Sequence, residues 1–344
     1  MRVNRQWRVK AALFVTSLLV TFLLVEVFLY FFTDLCKEDK KVFRDTKSGG
    51  MICYTSDPHH SFHITFIDPE LHRRLYCVVN DPARKKAGYY PDREGQVALV
   101  GDSFAFGEGV ANEETLAYFL DQKFPNINFR NFAESGNDVS SVYDSVSEIL
   151  KSEKQIKNII YFYNLNDVEI SPEIDKRQHY VTDFENLCWE RVGRNFFSRL
   201  LFKSTFFRLS MKAVVLRNET EMTIRNYLDM YFSPINAKEL RESLEKLAGM
   251  DLLAKDHGVR FFVVIYPLLY KDAHGLYPFR AIHQLLESFC ASHGIRCIDA
   301  SHAFDPFPSM QNFTVHPIDY HPNRFANRCV VDYLMQKKAL VFNE

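Results

Sequence analysis

From Gln96 onward the sequence repeats one unit: a short apolar run, a polar loop, then a stretch with apolar residues at helical spacing. The run Val97-Ala98-Leu99-Val100 ends in Gly101-Asp102-Ser103, and a helix is expected from near Asn112, a good N-cap, with Leu116, Phe119, Leu120 and Phe124 on one face. A second strand is expected over Asn128 to Phe132. It leads to Glu134-Ser135-Gly136-Asn137 and a helix carrying Val139, Val142, Val146, Ile149 and Leu150. The third strand, Ile159 to Tyr163, ends at Asn164-Leu165-Asn166-Asp167. Two further units share a junction, His257-Gly258-Val259-Arg260 and His293-Gly294-Ile295-Arg296, where each Gly suits a helix C-cap. They predict strands from Val259 to Tyr266 and from Ile295 to Ile298, and a last helix runs from about Asn323 to Met335. Strands that alternate with helices cannot be closed by hairpins. The expected fold class is therefore α/β, a three-layer α/β/α sandwich on a mostly parallel five-stranded sheet.

The N-terminus obeys a different rule. Ala11 to Phe32 holds 22 residues with Glu26 as its only charge. At ~1.5 Å per residue, a helix of that length spans the ~30 Å hydrocarbon layer of a bilayer. With no small-residue cleavage site behind it, the segment reads as an uncleaved transmembrane signal anchor; a hydrophobic hairpin or docking helix is the plainer alternative. Arg2, Arg5, Arg8 and Lys10 precede it, but Lys37, Lys40, Lys41, Arg44 and Lys47 follow, so the positive charges do not by themselves decide the orientation. The reading adopted puts residues 1–10 in the cytoplasm, the anchor at 11–32, a stalk and lead-in segment at 33–95, and the exported domain at 96–340, with an insertion at 171–236.

Composition narrows the partners. Lys+Arg 42 against Asp+Glu 43 leaves a net charge of -1, so no basic footprint for nucleic acid exists. Seven cysteines, at 36, 53, 77, 188, 290, 297 and 329, form no C-x-x-C pair, which argues against a zinc site or a redox dithiol. Their odd number leaves at least one thiol unpaired; one disulfide is compatible with an oxidising compartment, and the spacing does not say which. His59, His60 and His63 cluster without a carboxylate or Cys at ligand spacing, and surface or packing roles are expected for them. Within the insertion, Phe196 to Leu216, with Arg194 just before it, mixes Phe and Leu with Arg199, Lys203, Arg208 and Lys212. Such a stretch suits a helix packed on the core with its cations solvated, or one lying on a membrane surface or over a cleft.

In an open parallel sheet, chemistry collects at the carboxyl ends of the strands, where Ser103, Gly136 and Asn166 fall. A serine hydroxyl needs an adjacent base to attack at neutral pH. His321, in Asp319-Tyr320-His321-Pro322-Asn323 just before the last helix, is the candidate. Asp319 would hold the far ring nitrogen and fix the tautomer. An oxyanion would take donors from the backbone N–H of Ser103, the backbone N–H of Gly136 and the side-chain amide of Asn166. Asp102 is expected to stabilise its loop by hydrogen bonds rather than to perform acid–base work. Asp299-Ala300-Ser301-His302 is a rival acid–imidazole pair directly after a strand, and His316 is a further decoy.

This ordered set resembles the SGNH, or GDSL-like, hydrolase superfamily, over about residues 96 to 336. The blocks are Gly101-Asp102-Ser103-Phe104, continued by Phe106-Gly107-Glu108-Gly109-Val110 in the manner of membrane-anchored bacterial members; Gly136; Asn166-Asp167; and Asp319 with His321-Pro322-Asn323. The resemblance implies a flavodoxin-like sheet, Ser103 as nucleophile, Ser103, Gly136 and Asn166 as oxyanion hole, Asp319 and His321 completing a triad, and neither cofactor nor metal. Two departures stand out. Asn164 occupies the place where the family usually has Gly, and Asp319 lies two residues before His321 instead of three.

The implied reaction is acyl transfer through a Ser103 ester. The leading expectation is an exported, membrane-tethered serine esterase acting on an O-acyl group, an acetyl ester first, of a carbohydrate or lipid-like substrate. An O-acyltransferase working on envelope polysaccharide uses the same residues, and a catalytically silent glycan-binding relative would keep the pocket without forming an acyl-enzyme.

Overall fold

The computed structural model describes residues 5–32, 41–46, 49–54, 64–68, 73–80, 96–178, 204, 206–207, 223–272, 275–316, 319–338, 340 and 342. The chain divides into two compact units, Met1–Glu38 with Lys176–Arg225, and Asp39–Asp175 with Asn226–Glu344. His59, His60, His63 and nearly all of Phe196 to Leu216 lie outside the described residues.

In the first unit, helix α1 (Arg5–Phe32) is, among the described residues, the one helix long and apolar enough to cross a membrane. Its span Lys10–Phe28 has a mean hydropathy of 2.3 and is not buried by protein. Apolar side chains on all sides of a helix suit lipid and not water. The one carboxylate on this span, Glu26, is hydrogen-bonded: it accepts from Ser204 Oγ and from the backbone N–H of Phe206 at 3.0 Å, while Phe206 packs edge-on against Phe22. A polar group at membrane depth is costly unless protein groups satisfy it in this way.

The second unit begins with an antiparallel sheet of β1 (Lys41–Thr46), β2 (Gly49–Tyr54), β3 (Ile64–Asp68) and β4 (Arg73–Asn80), in the order β1-β2-β4-β3. Cys53 on β2 stands opposite Cys77 on β4, and the two form a disulfide. The bond closes a sequence separation of 24 residues. Replacing both cysteines by serine is therefore expected to lower the stability of this unit by about 3 kcal/mol, measured by urea unfolding of the full chain in detergent.

The remaining strands form one parallel sheet: β5 (Gln96–Gly101), β6 (Asn128–Asn131), β7 (Ile156–Asn164), β8 (Arg260–Tyr266) and β9 (Arg296–Asp299), in the order β6-β5-β7-β8-β9. All four pairings are parallel. Strands buried on both faces should read as continuous apolar runs. Val97 to Val100, Ile159 to Tyr163 and Phe261 to Tyr266 do so, and each of these side chains is buried. Helices α2 (Leu116–Lys123) and α6 (Arg324–Gln336) pack together, and α3 (Val139–Ser152) packs on α4 (Ala237–Asp256), which also touches α5 (Arg280–His293). The three-layer α/β/α sandwich expected from the sequence is thus the observed fold.

The order of these five strands reverses between β5 and β7: the chain steps from β5 outward to β6 and returns past β5 to β7. The crevice at such a reversal lies at the carboxyl ends of the strands that flank it. Ser103 follows β5 and Asn166 follows β7, so both stand at its rim.

Helix starts account for the small differences from sequence. The residues Asn112–Glu114 form a single 3₁₀ turn, and Thr115 is the N-cap of α2, its Oγ1 accepting from Tyr118 N at 3.3 Å. Asn323 caps α6, accepting from Phe325 N at 2.9 Å and Ala326 N at 3.2 Å. Its amide donates to Asn312 O and Thr314 O, at 2.9 and 3.0 Å. One side chain therefore ties the start of α6 to the segment that precedes His321.

Candidate active site

Gly101 ends β5 at φ +151°, in the region that favours glycine, and a Cβ there would stand 2.7 Å from Phe162 O and 2.8 Å from the Ala105 Cβ. The chain then turns into the one-turn helix Ser103–Phe106, capped by Asp102, whose Oδ1 accepts from Phe104 N at 2.9 Å. Asn131 at the end of β6 holds this turn from below through Ala105 O and Phe106 O, at 3.0 and 3.4 Å. Ser103 is fixed at the carboxyl end of β5 with 9% of its surface exposed. Its backbone N–H belongs to the first turn of a helix, which intrahelical bonds leave unused.

The imidazole arrives from 218 residues away. Two short strands, β10 (Thr314–His316) and β11 (Asp319–Pro322), fold as an antiparallel pair just before α6. His321 Nε2 lies 2.8 Å from Ser103 Oγ. Its Nδ1 makes a short contact with Asp319 Oδ1, which also accepts from the His321 backbone N–H at 3.2 Å. With the ring proton held on Nδ1 by this carboxylate, Nε2 is left to accept from the serine. The unusual spacing of two has a physical reason. In an extended strand, side chains i and i+2 point to the same face, so Asp319 and His321 can meet without a turn between them.

Another partner of the carboxylate is one the sequence did not disclose. Tyr54, the last residue of β2, donates its hydroxyl to Asp319 Oδ2 at 2.9 Å. Burial, and then the charge of Asp319, push the Tyr54 phenol far up. His316 is stacked on Tyr54, rings 4.7 Å apart and 6° from parallel, and is buried. Glu108, which the sequence placed in the first block without a role, sets Oε2 3.9 Å from His321 Nε2 and accepts from Ser135 Oγ at 2.6 Å. That bond joins the loop after Ser103 to the loop that contains Gly136.

Gly136 is exposed, at φ +85°, with nothing within 4 Å of the position a Cβ would take. Its loop is pinned to the end of β5, since Glu134 N and Asn137 Nδ2 both donate to Gly101 O, at 3.2 and 3.4 Å. Asn166 is exposed beyond β7, and its side chain hydrogen-bonds Asp102. An amide NH₂ carries two hydrogens, so this contact leaves one for a ligand.

Asn164, where the resemblance would place a glycine, does work with its side chain that glycine could not do. Its Nδ2 donates to Asp102 Oδ2 at 3.3 Å and its Oδ1 accepts from Leu165 N at 2.6 Å, while its backbone N–H, which glycine would also supply, donates to Asp167 Oδ2 at 3.1 Å. Asp102 is therefore held by Phe104, Asn164 and Asn166. Burial is nonetheless the largest influence and pushes its carboxyl up to about 6, against the pull of those hydrogen bonds and of His321. Asp167 is pushed higher than an ordinary carboxyl, by burial first and then by the charge of Asp102, although Tyr161 donates to it at 2.8 Å.

A folded-state value above the unfolded one means that ionised Asp102 opposes folding. The opposition is absent below about pH 4 and complete above about pH 6. Its upper size is about 3 kcal/mol, from about two units at ~1.4 kcal/mol each. Urea unfolding at intervals from pH 4 to 7.5 is expected to give Asp102→Asn a flatter fall of stability with rising pH than the parent.

The rival pair is elsewhere and does something else. Asp299 accepts from His283 Nδ1 at 2.7 Å and caps Ser301 N at 2.8 Å. Burial opposes its ionisation, but the His283 and Ser301 hydrogen bonds prevail and hold the carboxyl down to about 2. His302 pairs with Asp305 at 2.7 Å and is 3.7 Å from Asp299. Among the described residues, no group of three or more His, Cys, Asp or Glu is arranged to hold a metal ion.

No protein-family model and no curated protein matches the sequence. Solved structures do resemble the fold. The chain is similar to a structure of TesA, at 11% identity, with 71% of this chain and 99% of that one covered and a TM-score of 0.41. It is likewise similar to a member of the lipolytic protein G-D-S-L family from Veillonella parvula, at 14% identity, 70% and 96% coverage and a TM-score of 0.42. A third is the acetyl xylan esterase AlAXEase, at 10% identity, 70% and 98% coverage and a TM-score of 0.39. These are likenesses of backbone.

Proposed function

We propose that this chain is a serine esterase-type hydrolase that cleaves an O-acyl ester, an acetyl ester of a carbohydrate in the first place, through a covalent acyl-Ser103 intermediate. One observation carries the reading: Ser103 Oγ, His321 and Asp319 form a continuous hydrogen-bonded chain at the crevice of the parallel sheet, with 2.8 Å between Oγ and Nε2. Distances of this size are what proton transfer between a nucleophile and its base requires.

In the proposed reaction His321 Nε2 takes the Ser103 proton as Oγ attacks the ester carbonyl. The N–H groups of Ser103 and Gly136 and the Asn166 amide then hold the oxyanion. Collapse expels the alcohol, which receives the proton from His321. Water, deprotonated by the same nitrogen, attacks the acyl-serine, and the acid and free Ser103 are released. Asp319 keeps the imidazolium in place through both steps.

Helix α1 is proposed to tether the protein to the membrane with the second unit on the exported side. The disulfide between Cys53 and Cys77 supports that side, because such bonds persist in oxidising compartments. The test is incubation of the detergent-solubilised full chain with an O-acetylated glycan, with and without a deacetylated glycan acceptor. Esterase chemistry releases free acetate whether or not acceptor is present; transfer of label to the acceptor in place of release would overturn hydrolysis in favour of transfer.

A further inference from the structure

We propose that Tyr54, on the N-terminal sheet, is a positioning residue for the Asp319–His321 pair, reaching the site from outside the parallel-sheet core. The proposal rests on the esterase reading for its catalytic meaning. The two oxygens of Asp319 are divided between two elements. Oδ1 takes the Nδ1 and backbone N–H of His321, and Oδ2 takes the phenol of Tyr54 at 2.9 Å. A carboxylate held at both oxygens cannot rotate about its terminal bond, so the ring it orients is held too.

Tyr54 is itself locked. Only 1% of it is exposed, it packs with Ile52, Val110 and Val315, and it lies flat against His316. Its neighbour Cys53 is bonded to Cys77 on the next strand. At Gly109, in the loop after the nucleophile, a Cβ would come within 3.2 Å of the phenol oxygen, so the backbone of that loop approaches Tyr54 where a side chain would crowd it.

Among the described residues, the charged and titratable groups facing His321 include Asp319 on its own strand, Glu108 at 3.9 Å, Asp102 beside the nucleophile, and beyond Asp319 the phenol of Tyr54 with His316 behind it. Tyr54→Phe removes one hydroxyl and keeps the ring stacked. Asp319 then loses a donor, its charge rests more fully on the imidazolium, and the His321 titration should move to higher pH by about half a unit to one unit. Loss of orientation should lower kcat about 10-fold with KM changed less than about 2-fold.

The experiment compares the full chain with Tyr54→Phe in detergent. One arm follows the pH dependence of kcat/KM for p-nitrophenyl acetate. A second arm, which needs no turnover, follows the imidazole resonance of His321 by NMR of histidine-labelled protein, assigned by its loss in His321→Gln. An upward shift of both the acid limb and the resonance is expected. Superimposable titrations in both arms would overturn the proposal and reduce Tyr54 to packing. An upward shift of the resonance in a protein that hydrolyses no ester and takes no fluorophosphonate on Ser103 would sustain the contact and sink the esterase reading instead.

Discussion

Ser103→Ala is expected to lower kcat/KM for an aryl acetate by at least about 10⁴-fold, which is about 5.5 kcal/mol of transition-state stabilisation. Without Oγ no acyl-enzyme forms, and His321 can act only on water held less well than a covalently attached nucleophile. The residual rate would come from the oxyanion donors and from substrate binding, which the substitution leaves in place. The fold should tolerate the change. Ser103 is the first residue of a one-turn helix, its side chain makes its hydrogen bond to His321, and alanine fits the same space. Urea unfolding of the variant within about 1 kcal/mol of the parent would show that the lost activity is chemical and not structural.

Asp319→Asn should be nearly as damaging, at about 10³- to 10⁴-fold in kcat. The donors on the carboxylate include the His321 ring, the His321 backbone N–H and the Tyr54 hydroxyl. An amide offers one oxygen in place of two. If it faces the imidazole, its NH₂ meets the Tyr54 hydroxyl; if it turns over, the NH₂ meets Nδ1 and forces the proton to Nε2, where it blocks acceptance from Ser103. The comparison variant is His302→Gln. His302 is exposed and paired with Asp305, so its replacement should leave the rate within about 2-fold of the parent. A large loss there, with Asp319→Asn active, would move the base to the other acid–imidazole pair.

The layers and the turn after β5 are legible because local rules decide them. Val97 to Val100 is apolar at every position and ends in Gly101, and buried parallel strands ask for that pattern. The last helix reads from about Asn323 to Met335, against Arg324–Gln336 with Asn323 as its cap. Elements decided by contacts at long range were not legible. Tyr54 meets Asp319 across 265 residues, and nothing in the alternation of β2 distinguishes it from any other strand tyrosine. The pairing of Cys53 with Cys77 depends on the register of β2 against β4, which seven scattered cysteines do not specify. Asn164 was visible as a departure from the resembling family, but its purpose needed Asp102 beside it. The helix start at Thr115 and not Asn112 shows a nearer ambiguity, because Asn112-Glu113-Glu114 satisfies the same preferences and spends them on a 3₁₀ turn.

During turnover one hydroxyl, that of Ser103, is expected to become covalently bound. Peptide-level mass spectrometry of the full chain after reaction with a fluorophosphonate, beside His321→Gln, tests this. A single phosphonyl adduct is expected on the peptide containing Ser103, at a rate that falls by about two to four orders of magnitude when the imidazole is removed. Reaction at another residue, or a Ser103 adduct that forms equally fast without His321, would contradict it.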